Sequence, residues 1–252
     1  MSKQFIRAAV AFCAVLLAVP AVSASAMHVM EGYLSPGWCV LWGVLCIPFL
    51  IWGGIDMSRR INSGGSVKLL LALAGAFVFI ISSLKIPSIM GSCSHPTGTG
   101  LGAVLFGAPV MSVLGIIVLL FQALLLAHGG LTTLGANTFS MAVAGPFLSW
   151  GLYALLKRLK RLKAPAAVSV FLAATLGDLF TYIVTSFQLT MCHSDGNFAF
   201  AFGKFMLVFA PTQLPIAIAE GILSVMMFNI IEKYCGRELK SLGVLVERRA
   251  AL

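Results

Sequence analysis

Residues 99–127 read TGLGAVLFGAPVMSVLGIIVLLFQALLLA and contain no charged side chain. A helix needs about 20 residues, at about 1.5 Å each, to cross about 30 Å of hydrocarbon, and this run is long enough. Further apolar runs cover about 36–55, 66–85, 132–157, 164–190 and 198–233. These runs are continuously apolar rather than alternating, which favours helices over a barrel. The sequence therefore predicts an all-α integral membrane protein.

The composition supports this class. Of 252 residues, 60% are hydrophobic and only 10% are charged, against roughly 25% charged in soluble domains. The net charge of +9 comes mostly from short loops and the carboxyl end, so it indicates membrane topology rather than nucleic-acid binding. The six cysteines form no Cys-x-x-Cys pair, which argues against a zinc site. A disulfide between Cys93 and Cys192, or thiolate ligation by either, stays open.

The amino terminus has the pattern of a secretory signal peptide. Lys3 and Arg7 precede an apolar run over 8–22, and Ala24-Ser25-Ala26 follows it, as expected before a cleavage site. Cleavage after Ala26 leaves one membrane domain at 27–252, whose last residues, from about 234, form a cytoplasmic tail. The other interpretation is an uncleaved anchor helix.

Cleavage at this position would create a metal chelator. The mature chain would begin Met27-His28-Val29-Met30-Glu31-Gly32. The amine of Met27, the backbone nitrogen of His28 and its imidazole can close successive chelate rings around one ion, provided the metal displaces the amide proton. A fourth nitrogen would come from a distant histidine, and such a set suits Ni, Cu and Co. Met-His is nevertheless a common dipeptide, so the chelator remains a hypothesis.

The basic residues predict the topology. Arg59 and Arg60, the run over 157–163 and the basic carboxyl tail should all be cytoplasmic. With the mature amino terminus outside, two crossings return the chain to the outside at His95, on the same side as His28. An odd number of crossings must then separate His95 from the run over 157–163. We expect three, with a break near Gly107-Ala108-Pro109, because proline strains a helix interior. The total is seven, and the alternative is five or six.

Two polar islands between apolar runs contain candidate site residues. In the first, Pro96 biases His95 towards an extended backbone, which favours His95 as the fourth ligand. His128 lies in the second island, where a packing histidine bonded to a carbonyl is the competing interpretation. His193, in a more solvated loop, is the lower-ranked alternative ligand. The candidates for supporting the ligands or lining an ion path are Ser94, Thr97, His128 and Asn137.

Asp178 and Glu220 lie inside predicted helices, where a charge costs at least about 2.5–3.5 kcal/mol and usually marks a function. No basic residue lies in the middle of any span. Protonation, hydrogen bonds to groups such as Gln213, and contact with another subunit all stay open. The sequence offers no Ser-His-Asp set, paired catalytic carboxylates or nucleotide-binding loop, so a transporter of this kind must draw its energy from other proteins.

Three stretches resemble the CbiM family, the substrate-binding subunits of cobalt energy-coupling factor (ECF) transporters. They are MHVMEGYL at 27–34, GSCSHPTGTG at 91–100 and AHGGLTTLGANT at 127–138. The similarity extends from Met27 to about Lys233, and the last two stretches are long and specific.

The resemblance implies a seven-helix bundle in the bacterial inner membrane, with its amino terminus outside and its carboxyl terminus inside. It implies that Met27, His28 and His95 bind Co²⁺ for uptake and cobalamin biosynthesis. It also implies partners: a small CbiN-like membrane subunit, a CbiQ-like coupling subunit and CbiO-like ATPases. The chain itself would be a transporter subunit rather than an enzyme, with no permanently bound cofactor.

Nickel subunits of the same group share the terminal Met-His pair, so Ni²⁺ uptake is the alternative. They more often carry Pro and Asp where this chain has Met30 and Glu31, which favours cobalt. A membrane-embedded metalloenzyme or metal sensor is a more distant alternative, and no substrate-activating acid stands beside the histidines in the sequence to support it.

Overall fold

The computed structural model describes residues 25–26, 28–62, 65–87, 92–158, 166–194 and 196–244. The described chain is mainly helical, as predicted. We number the helices α1 Pro36–Asn62, α2 Gly65–Ser82, α3 Thr99–Phe106, α4 Ala108–Leu126, α5 Leu134–Arg158, α6 Ala166–His193, α7 Phe198–Tyr234 and α8 Gly236–Ser241. Residues Thr138–Ala144 of α5 form a π-helical segment, a feature often found at functional sites.

Five of the described helices are long and apolar enough to cross a membrane, namely α1, α4, α5, α6 and α7. Helix α2 is a shorter apolar helix. Helix α3 has eight residues and rises only about 12 Å, so it cannot span a bilayer alone. The predicted helical membrane architecture is confirmed, whereas the count of seven crossings stays a prediction.

The predicted break near Pro109 is confirmed, and it occurs at Gly107. This residue has φ of 83°, a left-handed backbone conformation that favours glycine. Proline follows at the second position of α4, where its missing N–H is tolerated. Helices α3 and α4 therefore form a hairpin. Since His95 precedes α3 and His128 follows α4, the hairpin brings both histidines to the same end, with their rings 5.1 Å apart.

A small sheet, absent from our predictions, lies beside the His95 loop. Its strands are β1 Ser25–Ala26, β2 Ile86–Pro87 and β3 Ser92–Ser94, in the order β1-β3-β2. Strand β1 pairs parallel to β3, with Ala26 opposite Cys93, and β2 pairs antiparallel, with Ile86 opposite Ser94. The sheet thus holds residues 25–26, the end of the predicted signal peptide, next to the strand that leads into His95.

Three apolar clusters of the described residues hold the helices together, one of them joining α2, α3, α4 and α5 around Met111 and Leu119. Another joins α2 and α3 to α4–α8 around Phe106, Phe228 and Leu239. The third packs Val29 and Leu34 of the amino-terminal segment against α1, α6 and α7. This third cluster anchors the segment that carries His28.

Candidate metal centre

Three imidazoles meet at the end of the α3–α4 hairpin. His28, His95 and His128 are 3%, 1% and 1% exposed, and each offers a ring nitrogen within 4.8 Å of those of the other two. The rings of His28 and His95 stack with centroids 4.4 Å apart, and His128 meets the His28 ring edge-on at 4.5 Å. We call these three residues the histidine cluster. The structure therefore brings together residues that are up to 100 positions apart in the chain.

The ring nitrogens of the cluster are largely unsatisfied. Both ring nitrogens of His28, both of His128 and Nε2 of His95 have no hydrogen-bond partner among the described residues. Buried polar atoms are normally paired, and an orphaned group indicates a site for an ion or water. Nδ1 of His95 lies 3.1 Å from the Pro96 carbonyl oxygen. If Nδ1 carries the proton and donates it there, the Nε2 lone pair is left for a metal.

Burial keeps these imidazoles neutral. It lowers the pKa of His95 to about 4, against the opposing effect of the hydrogen bond to Pro96. It lowers the pKa of His128 to about 3, with further lowering by His95 and Lys85. Burial also lowers the pKa of His28 well below 6.5, followed by the effects of the other two cluster rings. Neutral imidazole is the form that binds metals, so the cluster is ready to bind at neutral pH.

The segment after His28 is clamped by the second polar island. Asn137 Oδ1 accepts a hydrogen bond from the Val29 N–H at 2.7 Å, and Asn137 Nδ2 donates to the Val29 carbonyl at 3.1 Å. The Thr133 hydroxyl donates to the same carbonyl at 2.6 Å. The backbone of Val29 is thus satisfied on both sides, which fixes the position of His28 beside it.

A close backbone approach seats the next two residues. A Cβ added to Gly130 would lie 2.6 Å from both Cα and N of Glu31, so only glycine fits there. The Glu31 carboxylate accepts a hydrogen bond from the Thr132 N–H at 3.2 Å. Hydrogen bonds from Thr132 lower the pKa of Glu31. The loop after α4 is therefore shaped to receive the amino-terminal segment.

The other candidate residues are not members of the histidine cluster. Ser94 Oγ lies 2.8 Å from the Thr212 hydroxyl, and Thr97 bonds to Glu220. His193 is exposed, and its Nε2 lies 3.0 Å from the carbonyl oxygen of Tyr33, outside the cluster. Met27 lies outside the described residues, as do residues 1–24, which make up most of the predicted signal peptide.

Three details differ from or extend the sequence predictions. The competing interpretation of His128, a packing histidine bonded to a carbonyl, is not supported, because neither of its ring nitrogens has a partner among the described residues. Cys192 is a free thiol in the structure, and the side chain of Cys93 lies outside the described part of the chain. Asp178 bonds to Gln213, one of the partners considered, whereas the contacts of Glu220 with Thr97 and with the Gly98 N–H were not foreseen.

Comparisons with known proteins show the family of this chain. A family model described as CbiM, cobalt uptake substrate-specific transmembrane region, matches residues 28–237. The chain belongs to the CbiM family. Cobalt transport protein CbiM of Chlorobium limicola is 58% identical over 226 residues, covering 89% of this chain and 88% of that protein. The protein of the same name from Ruminiclostridium cellulolyticum is 53% identical over 238 residues, with 94% of each chain covered.

A solved structure has the same fold as this chain. The crystal structure of a truncated transition metal transporter superposes with a TM-score of 0.71 at 25% identity, covering 82% of this chain and 99% of that one. The match to the family begins at His28, the first residue of the histidine cluster.

Proposed function

We propose that this protein captures Co²⁺ from outside the cell as the substrate-binding subunit of an ATP-driven ECF importer, for cobalt uptake and cobalamin biosynthesis. The observation that carries the proposal is the buried histidine cluster, whose imidazoles are neutral and whose ring nitrogens, apart from His95 Nδ1, have no hydrogen-bond partner among the described residues. Its nitrogen donors suit late first-row metals rather than Mg²⁺ or Ca²⁺. The names of the relatives, cobalt transport proteins, support the choice of ion.

The ligand set in this proposal is completed by processing of the chain. Removal of residues 1–26 frees the amine of Met27, which joins the amide nitrogen and imidazole of His28. His95 supplies the fourth nitrogen through Nε2. His128 stands close enough to orient the ligands or to line the path of the ion. The clamp on Val29 supports this role, because it holds the mature terminus against the cluster.

In this proposal the chain crosses the inner membrane seven times. The histidine cluster then lies on the outer side, where it can capture Co²⁺, and the carboxyl end lies inside. Helix α3 is then the short crossing of the α3–α4 hairpin. The energy for transport comes from partners: a CbiN-like small subunit, a CbiQ-like coupling subunit and CbiO-like ATPases. The basic residues at the far end from the cluster, including Arg60 and Lys157, support the orientation.

Nickel is the second candidate ion, because the proposed ligands also suit Ni²⁺. A compact set of amine, amide and imidazole nitrogens binds Ni²⁺ more strongly than Co²⁺ by intrinsic affinity. Cobalt selectivity would then depend on metal availability and on the partner subunits. Uptake of both ions by the assembled complex, measured at equal concentrations, separates these candidates.

The test of the proposed function is Co²⁺ titration of purified protein whose amino terminus is established by intact mass. Protein that begins at Met27 should bind, whereas protein with one additional residue before Met27 should lose high-affinity binding, because the amine moves out of register. A version with one additional residue at the carboxyl end is the matched control. Equal binding by the amino-terminally extended protein would refute the terminal chelate.

A further inference from the structure

Two carboxylates lie in the middle of α6 and α7. Asp178 and Glu220 are 1% and 0% exposed. In the part of the chain that the structure describes, neither forms an ion pair. Acidic residues within membrane spans are rare and usually mark a function. The structure shows what these two do, because both connect to the loop that carries His95.

Glu220 accepts hydrogen bonds from the two residues that precede α3. The Thr97 N–H donates to Oε2 at 2.5 Å, and the Gly98 N–H donates to Oε1 at 2.9 Å. The Thr97 hydroxyl donates to Oε1 at 3.0 Å. One side chain of α7 therefore satisfies three donors immediately after His95.

Asp178 acts on the same loop through an intermediate. Its Oδ2 accepts a hydrogen bond from Gln213 Nε2 at 2.6 Å. The same amide nitrogen lies 3.3 Å from the carbonyl oxygen of His95 and donates to it. Asp178 thus orients the amide that holds the backbone of His95, while Glu220 holds the two residues that follow Pro96.

These contacts fix the backbone from the His95 carbonyl to Gly98, and Nε2 of His95, a member of the histidine cluster, has no hydrogen-bond partner among the described residues. We propose that Glu220 and Asp178 are positioning residues, which hold the His95 loop so that Nε2 meets the metal. The inference rests on the proposed function, since it assigns a support for one ligand of that site. Replacing groups that orient metal ligands typically weakens metal binding about 10- to 100-fold.

The test is Co²⁺ binding by Glu220→Gln in the processed protein. Glutamine keeps one acceptor oxygen but places an NH₂ group opposite N–H donors of the loop. We expect affinity to fall about 10- to 100-fold. We also expect the visible absorption bands of bound Co²⁺ to move towards those of His95→Ala, because the same ligand is displaced. Ser224→Ala is the matched control. Ser224 is buried one turn along α7, and its hydroxyl makes no hydrogen bond among the described residues.

A purely structural role would give a different result. Glu220→Gln would then yield less folded protein, but the folded fraction would keep the wild-type affinity and Co²⁺ spectrum, and that outcome would overturn the inference. If Glu220→Gln does not accumulate, Thr97→Val removes a single hydroxyl donor. We expect it to weaken binding about 2- to 13-fold, the equivalent of one hydrogen bond. Wild-type affinity and spectrum in Thr97→Val would overturn the inference equally.

The outcomes separate this inference from the proposed function. If wild-type processed protein bound no Co²⁺, the proposed function would fail and this inference with it. If wild-type protein bound Co²⁺ and Glu220→Gln bound it equally well, only the positioning role would fail.

Discussion

The clamp on Val29 gives a direct test of how the amino terminus is held. Asn137→Ala removes both side-chain hydrogen bonds to the Val29 backbone. Thr133 still donates to the Val29 carbonyl, so the main loss is the partner of the Val29 N–H. Leaving a buried N–H unpaired costs about 1–3 kcal/mol. Metal binding requires the segment that carries His28 to return to its clamped position, and in the variant this return costs the same, about 1–3 kcal/mol. The affinity for Co²⁺ should therefore fall about 5- to 150-fold.

The assay is competition for Co²⁺ between processed protein and a chelator of known affinity. Asn137→Asp should also lose affinity, but for a different reason: it keeps an acceptor for the Val29 N–H and replaces the amide donor with an oxygen facing the Val29 carbonyl. Thr133→Val removes one of the two donors to that carbonyl and should lose less, about 2- to 13-fold. If Asn137→Ala kept an affinity within twofold of wild type, the reasoning would be refuted. The segment that carries His28 would then hold its position without the hydrogen bonds from Asn137.

Two further predictions follow from the same site. Between pH 7 and 5, the logarithm of apparent Co²⁺ affinity should fall by about 2 per pH unit, because binding releases one proton from the Met27 amine and one from the His28 amide. Burial lowers the pKa values of the cluster imidazoles, so they should release no further protons on binding in this range. A slope of about 4 at pH 5 would mean that two imidazoles are protonated before binding, and it would contradict this prediction. Gly130→Ala should weaken Co²⁺ binding and destabilise the protein by about 1–3 kcal/mol, because its Cβ meets the Glu31 backbone. Gly151→Ala, which points into open space, should change neither calorimetric stability nor binding, and equal behaviour of the two variants would contradict the steric argument.

The helices were largely predictable because membrane spans are long and continuously apolar. The break at Gly107 was predictable too, since proline and glycine act locally on the backbone. Crossing parity placed His95 on the side of His28 before any geometry was known. The length of α3 was harder, because the sequence around residue 99 does not show where a loop ends and a helix begins. The three short strands involve only two or three residues each, too few for a periodic pattern.

The contacts that build the site were less accessible from the sequence. Parity assigned His128 to the outer face, but only the α3–α4 hairpin brings it within 5.1 Å of His95. The bonds of Asn137 to Val29 and of Glu220 to Thr97 join residues more than 100 positions apart. Such contacts depend on how helices pack, which a single sequence does not specify. One signal was present: a carboxylate inside an apolar helix has to find donors, and the glycine-rich His95 loop supplies them.

The central claim is that the ion is held by the mature amino terminus and His95. Co²⁺ titration of processed protein carrying His28→Ala, His95→Ala, His128→Ala or His193→Ala tests it most directly. Our account predicts that the first two variants lose high-affinity binding, that His128→Ala is weakened about 10- to 100-fold, and that His193→Ala binds like wild type. Normal binding by His28→Ala would contradict the terminal chelate. Loss of binding in His193→Ala with unchanged binding in His95→Ala would show that the fourth ligand lies in the other loop.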